Sequence, residues 1–295
     1  MPRKHKIHKN CCANSKLEMK LKNNHILDKI GQVVNLNLML EEDMHTLHRI
    51  SEKDILTDEK TIHQIRKSLK SISAILFLYE FQIDQTHYVR WKSEIKSLSK
   101  QYALQREYFI NLQMFNKVED ELKDIDKSHL LELRTYFESK YHLMVLENIA
   151  REETIRKGNE AFLRTMDEII NCNINSELKL LNRKHLRSYQ KSQKIFKKLS
   201  LNSSSEEFHE FRKSCKRFYL QQFVFDKLGF EKTIKKNKKL YLLTEYLGKE
   251  HDFNLLYHYL SLYSTELAKL SRSFFVRKIK NLRKNILRRY PEIET

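Results

Sequence analysis

The sequence predicts an all-α protein built from two related helical halves, and three observations carry that reading. Only 4 Gly and 2 Pro occur in 295 residues, fewer than the tight turns of a sheet protein use. Apolar residues recur at three- and four-residue spacing from about residue 24 almost to the C-terminus, the pattern of helices that bury one face. A nine-residue motif returns in the second half of the chain with a companion motif in nearly the same register, which points to an internal duplication.

Residues 1–20 are polar and basic and read as a flexible basic tail. Met1-Pro2-Arg3-Lys4-His5-Lys6 leads into no signal-peptide core, and no apolar run has the length of a membrane span, so a cytoplasmic protein with no membrane partner is expected. Helices are expected at about 24–50, 58–80, 86–116, 118–150, 155–172, 177–200, 205–228, 232–262 and 264–290. They break at polar clusters such as Asn171–Ser176 and Leu201–Ser205. Ser203, Ser204 and Ser205 are N-cap candidates for the helix carrying Glu206 and Glu207, and Pro291 ends the last helix. The expected division is one helical domain over 21–295, its halves about 21–150 and 151–290.

With 40% hydrophobic and 32% charged residues the chain is globular. Its net charge of +18, from 56 Lys and Arg against 38 Asp and Glu, draws polyanions; nucleic acid, anionic membrane and polyphosphate all satisfy that requirement. Cys11, Cys12, Cys172 and Cys215 form no CxxC pair and read as reduced thiols. His5, His8, Cys11 and Cys12 sit in the tail with nothing apolar to hold four ligands in place, so no metal or other cofactor is expected.

The repeated motif carries the chemistry. Ile62-His63-Gln64-Ile65-Arg66-Lys67-Ser68-Leu69-Lys70 lies over Phe208-His209-Glu210-Phe211-Arg212-Lys213-Ser214-Cys215-Lys216. In a helix, His63, Arg66, Lys67 and Lys70 fall within an arc of about 100°. Ile62, Ile65, Leu69 and Ile72 lie opposite. His209, Arg212, Lys213 and Lys216 repeat the stripe, opposite Phe208, Phe211, Cys215 and Phe218. Arg grips two phosphate oxygens in a fork and Lys adds a mobile point charge, so such a stripe suits phosphate. One basic stripe alone is an ordinary solvated helix face; its return in the second half favours function. The two histidines lack the neighbours of a metal site; each reads either as a hydrogen-bonded structural residue or, beside these cations, as a donor to a phosphate oxygen.

Tyr102-Ala103-Leu104-Gln105-Arg106-Glu107 lies over Leu247-Gly248-Lys249-Glu250-His251-Asp252. Glu107 and Asp252 therefore hold equivalent places, either as buried acids that orient cations or as surface ion pairs. Further stripes run along other helices: Arg183, Arg187, Lys191, Lys194 and Lys198; Arg277, Lys280, Lys284 and Arg288; and Lys92, Lys96 and Lys100. Sequence alone leaves open which of them converge. Phe77, Phe81, Phe208, Phe211 and Phe218 fall mostly on apolar faces and read as core.

His63-x-x-Arg66-x-x-x-Lys70 and His209-x-x-Arg212-x-x-x-Lys216-Arg217, each followed by a leucine-plus-acid segment, resemble the conserved histidine α-helical domain (CHAD) family over roughly residues 21–290. Leu247-Gly248-x-x-His251-Asp252 is similar to that family's LGxx(R/H)D element. The resemblance implies two pseudo-symmetric antiparallel helical bundles facing across a basic groove or pore. It also implies binding of inorganic polyphosphate and association with polyphosphate granules. On that implication His63, Arg66, Lys67, Lys70, His209, Arg212, Lys213, Lys216 and Arg217 bind polyphosphate, joined by Arg183, Arg187, Lys191, Lys194, Arg277, Lys280 and Lys284, and Arg106, Glu107, His251 and Asp252 support them. Ser73 and Tyr219 stand where the family often carries a basic residue; Ser71 opposes Arg217; Glu107 replaces the usual Asp; and Phe109 stands where a second acid often lies.

No ExExK strand, P-loop, nucleophile elbow or HExxH motif occurs, so no catalysis is expected. The expected partner is polyphosphate or another polyanion, with sulfate or phosphate as stand-ins in crystals. The rivals are a non-specific nucleic-acid binder and, behind it, an enzyme acting on phosphorylated substrates. Oligomeric state leaves no mark in the sequence.

Overall fold

The computed structural model describes residues 33–48, 58–122, 125–227 and 234–294, and they are helical almost throughout. In chain order come β1 (Val33–Asn35), α1 (Leu36–His48), α2 (Glu59–Leu78), α3 (Gln85–Gln101) and α4 (Ala103–Val118). A 3-10 turn (Glu119–Glu121) precedes α5 (Lys127–Ala150) and α6 (Glu152–Asn171). The chain continues through β2 (Asn175–Glu177), α7 (Leu178–Phe196), α8 (Ser205–Lys227), α9 (Ile234–Tyr263), α10 (Thr265–Arg289) and α11 (Pro291–Glu294). The expected tail and its His5, His8, Cys11 and Cys12 lie outside the described residues.

Side-chain caps start α2, α3, α5, α8 and α10. Asp58, Asp84 and Asp126 each accept a backbone N–H in the first turn of α2, α3 and α5, and Ser264 caps α10. Of the three serine candidates, Ser204 begins α8 through a reciprocal pair. Its Oγ accepts from the Glu207 N–H at 3.2 Å, and Glu207 Oε2 accepts from the Ser204 N–H at 2.7 Å. Pro291 opens α11, where its missing N–H costs nothing.

Three expected helices differ in detail. The one expected over 24–50 lies outside the described residues before Val33, and strand β1 stands inside it before α1 starts at Leu36. The segment expected as one helix over 86–116 is α3 and α4, which break at Tyr102, a fully buried residue whose hydroxyl donates to Asn159 Oδ1 at 3.0 Å. No Gly or Pro marks this break; packing of the tyrosine against α6 decides it. The matched segment at Leu247-Gly248 runs straight through α9, a helix of 30 residues. The segment expected at 118–150 opens with the 3-10 turn before Asp126 starts α5. Among the described residues one short antiparallel ribbon pairs β1 with β2, with Val34 opposite Ser176. Asn173, at φ 44, makes the turn into it, a left-handed conformation that Asn tolerates.

Among the described residues, three apolar cores hold the helices. The first joins α1, α2 and α3 to α6 and α7 through residues such as Leu40, Ile62, Leu69, Trp91, Phe162 and Leu181. The second joins α4 and α5 to α9 and α10 through Phe115, Phe137, Leu256 and Phe275. The third seats α8 on α9 and the ends of α10 and α11 through Phe208, Phe211, Leu243, Ile286 and Tyr290. The first two draw on both halves of the sequence.

Arg283 ties the third core to the turn before α8. Its Nε donates to Glu250 Oε1 at 2.8 Å, and its Nη1 donates to the carbonyls of Ser203 at 2.6 Å and Leu201 at 3.3 Å. The two side chains are 11% and 2% exposed, and burial raises the Glu250 pKa. Removing the arginine strands a buried carboxylate. Arg283→Met should therefore lower the unfolding free energy by ~3–5 kcal/mol, measured by urea denaturation; wild-type stability would show that the pair does not anchor α8.

Candidate functional site

The apolar stripes of the two motif helices set their orientation. Ile62, Ile65, Leu69 and Ile72 are sealed from solvent on α2, as are Phe208, Phe211 and Cys215 on α8, while Phe218 is half-buried. The basic stripes are thereby turned away from the cores. The two helices also pack against each other, and Gln221 Nε2 donates to the Ala74 carbonyl at 3.2 Å across the contact.

This packing brings the stripes of both halves together. Lys70 has Arg66, Arg212, Lys216 and Arg106 as its charged neighbours. Lys216 has Arg212 and Lys67 beside it, offset by Glu245. His251 faces Arg212, His209, Lys70 and Lys213, and its ring lies 4.6 Å from that of His209. His63 faces Arg106, Lys70, Lys67 and Lys216. Seven Lys and Arg side chains from three helices (Arg66, Lys67 and Lys70 of α2, Arg106 of α4, and Arg212, Lys213 and Lys216 of α8) thus form one cationic cluster with His63, His209 and His251 inside it.

Burial and mutual repulsion disfavour the charged forms. Burial first, and then the four neighbouring cations, push Lys70 down to about 8. Lys70 nevertheless reaches solvent, which screens part of that repulsion. Burial lowers Lys216, and Arg212 adds to it. Burial also lowers Arg66, where Arg106 opposes and Glu107 and Glu59 favour the charge. His63 and His209 are lowered chiefly by burial, and His251 is pushed down to about 4 by burial and then Arg212. The Nδ1 of His209 and the Nε of Arg212 are buried without a hydrogen-bond partner.

The acids that order this cluster differ from the simple expectation. Neither Glu107 nor Asp252 forms an ion pair among the described residues. Glu107 accepts a hydrogen bond from the Tyr259 hydroxyl at 2.6 Å and is a charged neighbour of Arg66. Asp252 is raised by burial, although Arg212 and Arg106 pull it down. The direct partner of Arg106 is Glu59, whose Oε2 accepts from Nη1 at 3.3 Å while its Oε1 accepts from Gln105 Nε2 at 3.0 Å. Arg66 Nη1 donates to the Ser99 carbonyl at 2.7 Å. Neither periodicity nor motif marks Glu59, because it opens α2 and meets Arg106 only through the tertiary fold. Its one sequence signal is its place after the Asp58 cap.

The other stripes lie elsewhere. Arg183, Arg187, Lys191 and Lys194 are exposed on α7 and are not principal charged neighbours of Lys70, Lys216 or the cluster histidines. Lys191 is near Glu210, which pairs with Lys213 at 2.7 Å. Arg217 turns to the Phe77 ring, 4.8 Å away. Arg277, Lys280 and Lys284 are exposed on α10, Arg277 beside a small cavity with Glu121 and Phe274. Among the described residues no group of three or more His, Cys, Asp or Glu side chains could hold a metal ion.

The CHAD domain model matches residues 39–261, most of the chain and both copies of the motif. The chain belongs to the CHAD family. Among solved structures the CHAD chain resembles PptA from Streptomyces chartreusis, with a TM-score of 0.69 at 11% identity, covering 87% of this chain and 96% of that one. It also resembles the CHAD domain from the plant Ricinus communis, with a TM-score of 0.58 at 17% identity over 84% and 89% of the two chains. At these identities the likeness is one of fold. No curated protein matches the CHAD sequence.

The depressed histidines set an acid limit on stability. His251 and the half-buried His185 both fall to about 4, chiefly through burial, against about 6.5 in an unfolded chain. Between those values the unfolded chain binds more protons, so stability falls as pH drops through this window. Unfolding free energy should decline from pH 7 to pH 4.5, and His251→Gln should flatten the slope. A profile unchanged between pH 7 and 5 would contradict this.

Proposed function

We propose that this chain is a polyphosphate-binding protein, without catalysis of its own, and that its ligand runs across the cationic cluster between α2 and α8. The observation that carries this reading is the convergence of His63, Arg66, Lys67 and Lys70 with His209, Arg212, Lys213 and Lys216 on a single cluster. Like charges at this density repel one another, and a bound polyanion relieves the repulsion by supplying the missing counter-charge. A flexible chain of phosphates with no bases or sugars suits a surface whose donors are Lys, Arg and His. Family membership supports the same ligand. Arg106 supports the cluster from the Glu59 side, and His251 and Asp252 line it from α9.

The halves about 21–150 and 151–290 then act as one binding unit, with the duplicated motifs as its two walls. The described helices include none long and apolar enough to cross a membrane, and we place the protein in the cytoplasm, at polyphosphate granules where these form. The α7 and α10 stripes contribute long-range attraction on this reading, while the cluster supplies the contacts.

Ligand choice tests the proposal. Long-chain polyphosphate should bind far more tightly than single phosphate, because contacts on one chain act together, and the affinity should fall steeply with salt. In direct competition at physiological salt, RNA or duplex DNA of matched charge should fail to displace polyphosphate from the cluster. Displacement at equal concentration would sink the assignment. Arg212→Glu with Lys216→Glu should nearly abolish polyphosphate binding without changing the circular dichroism spectrum.

Binding should also be linked to protons. A polyanion favours the charged form of Lys70, which the free protein holds down at about 8, so complex formation takes up a proton where Lys70 is partly neutral. Affinity should therefore weaken between pH 7 and pH 9, and Lys70→Arg should remove part of that dependence. A flat profile for the wild type would count against the cluster as the site.

A further inference from the structure

A second cationic surface differs from the first in being built around aromatic rings. Phe81 stands in the turn after α2, three residues beyond the helix end, where the apolar periodicity no longer governs. It is 68% exposed, contrary to the core role its sequence context suggests. Lys184 Nζ lies 3.5 Å from the centre of its ring and 4.9 Å from that of Phe77. Arg187 lies 5.9 Å from the Phe81 ring, and Arg217 lies 4.8 Å from the Phe77 ring. Lys92 stands 5.4 Å from the ring of Tyr88 on α3.

The charge balance of this patch is one-sided. Its nearby acid, Glu80, pairs with Lys184. Arg187 and Arg217 form no ion pair with a carboxylate among the described residues. Arg183 and Lys191, one turn to either side of Arg187 on α7, are exposed. An exposed phenyl ring costs free energy in water, and the unpaired guanidiniums await anions. Inorganic polyphosphate satisfies the cations and leaves the exposed part of the ring, away from Lys184, uncovered. A ligand that alternates phosphates with accessible planar rings satisfies both, and a duplex hides its rings in the stack.

We propose that this patch of α7 and the turn after α2 binds single-stranded nucleic acid, with Phe81 as a stacking platform and Arg183, Arg187 and Arg217 on the phosphates. The surface uses residues outside the α2–α8 cluster, so it stands or falls separately from the polyphosphate reading. Stacking on Phe81 is indifferent to base sequence, and binding should show little base preference.

The test measures fluorescence anisotropy of a labelled 12-nucleotide oligoadenylate and, in parallel, of labelled polyphosphate. It compares wild type, Phe81→Ala, Phe81→Trp, and Arg212→Glu with Lys216→Glu. Phe81→Ala should weaken oligoadenylate binding by about 5- to 50-fold and leave polyphosphate within about twofold, while Phe81→Trp keeps the wild-type RNA affinity. The charge reversal in the cluster should have the opposite preference, costing polyphosphate far more than RNA. Wild-type RNA affinity for Phe81→Ala would overturn the proposal, as would equal losses for both ligands. No measurable RNA binding by the wild type, as for a surface that docks a protein, would overturn it too and would leave the polyphosphate reading untouched.

Discussion

Like-charge repulsion between α2 and α8 is the constraint on which the rest of the structure depends. Each helix carries a basic face, and the fold sets the two close enough that Lys70 of one lies among Arg212 and Lys216 of the other. Such an arrangement is unfavourable in itself and persists because the opposite faces are held by fully buried Ile, Leu and Phe side chains. Each such side chain contributes roughly 1.5–3 kcal/mol on burial, so the apolar packing outweighs the repulsion that it enforces. A protein selected for stability alone gains nothing from this crowding; it makes sense for a site that receives negative charge.

Buried polar anchors then decide where the cations point. Glu59 holds Arg106 and Gln105 in the first half, and Glu250 holds Arg283 in the second. Gln105 and Glu250 occupy matched places in the two copies of the second motif, and each links its helix to the start of a motif helix or to the turn before it. Arg66 has Glu107 as a neighbour, as Arg212 has Asp252. These anchors leave most cluster cations without carboxylates of their own, and so open to an external anion.

The helical class and the two basic stripes were legible in the sequence because both follow from helical periodicity. Ser204 as a cap was legible for the same local reason. What escaped was set by tertiary contact. Tyr102 ends α3 by burying its ring and reaching Asn159, although nothing local breaks the helix. Val33–Asn35 is too short to show strand alternation and is paired by a segment 140 residues away in the chain. Glu59 looked like an ordinary first-turn acid, and its work for Arg106 depends on α4 folding beside it. The α7 and α10 stripes had the same spacing as the motif stripes, and only packing separates them from the cluster. Phe81 has the apolar spacing of a core residue yet is exposed, because the helix that would bury it ends at Leu78.

On the proposed reading the two motif helices make one binding site rather than two. Isothermal titration of a defined polyphosphate into wild type and into Arg66→Glu with Lys70→Glu addresses it most directly. A shared site predicts one transition for the wild type and an affinity loss of at least about tenfold for the variant, with the protein remaining folded. A variant that keeps wild-type affinity and loses half of the binding capacity would contradict the account.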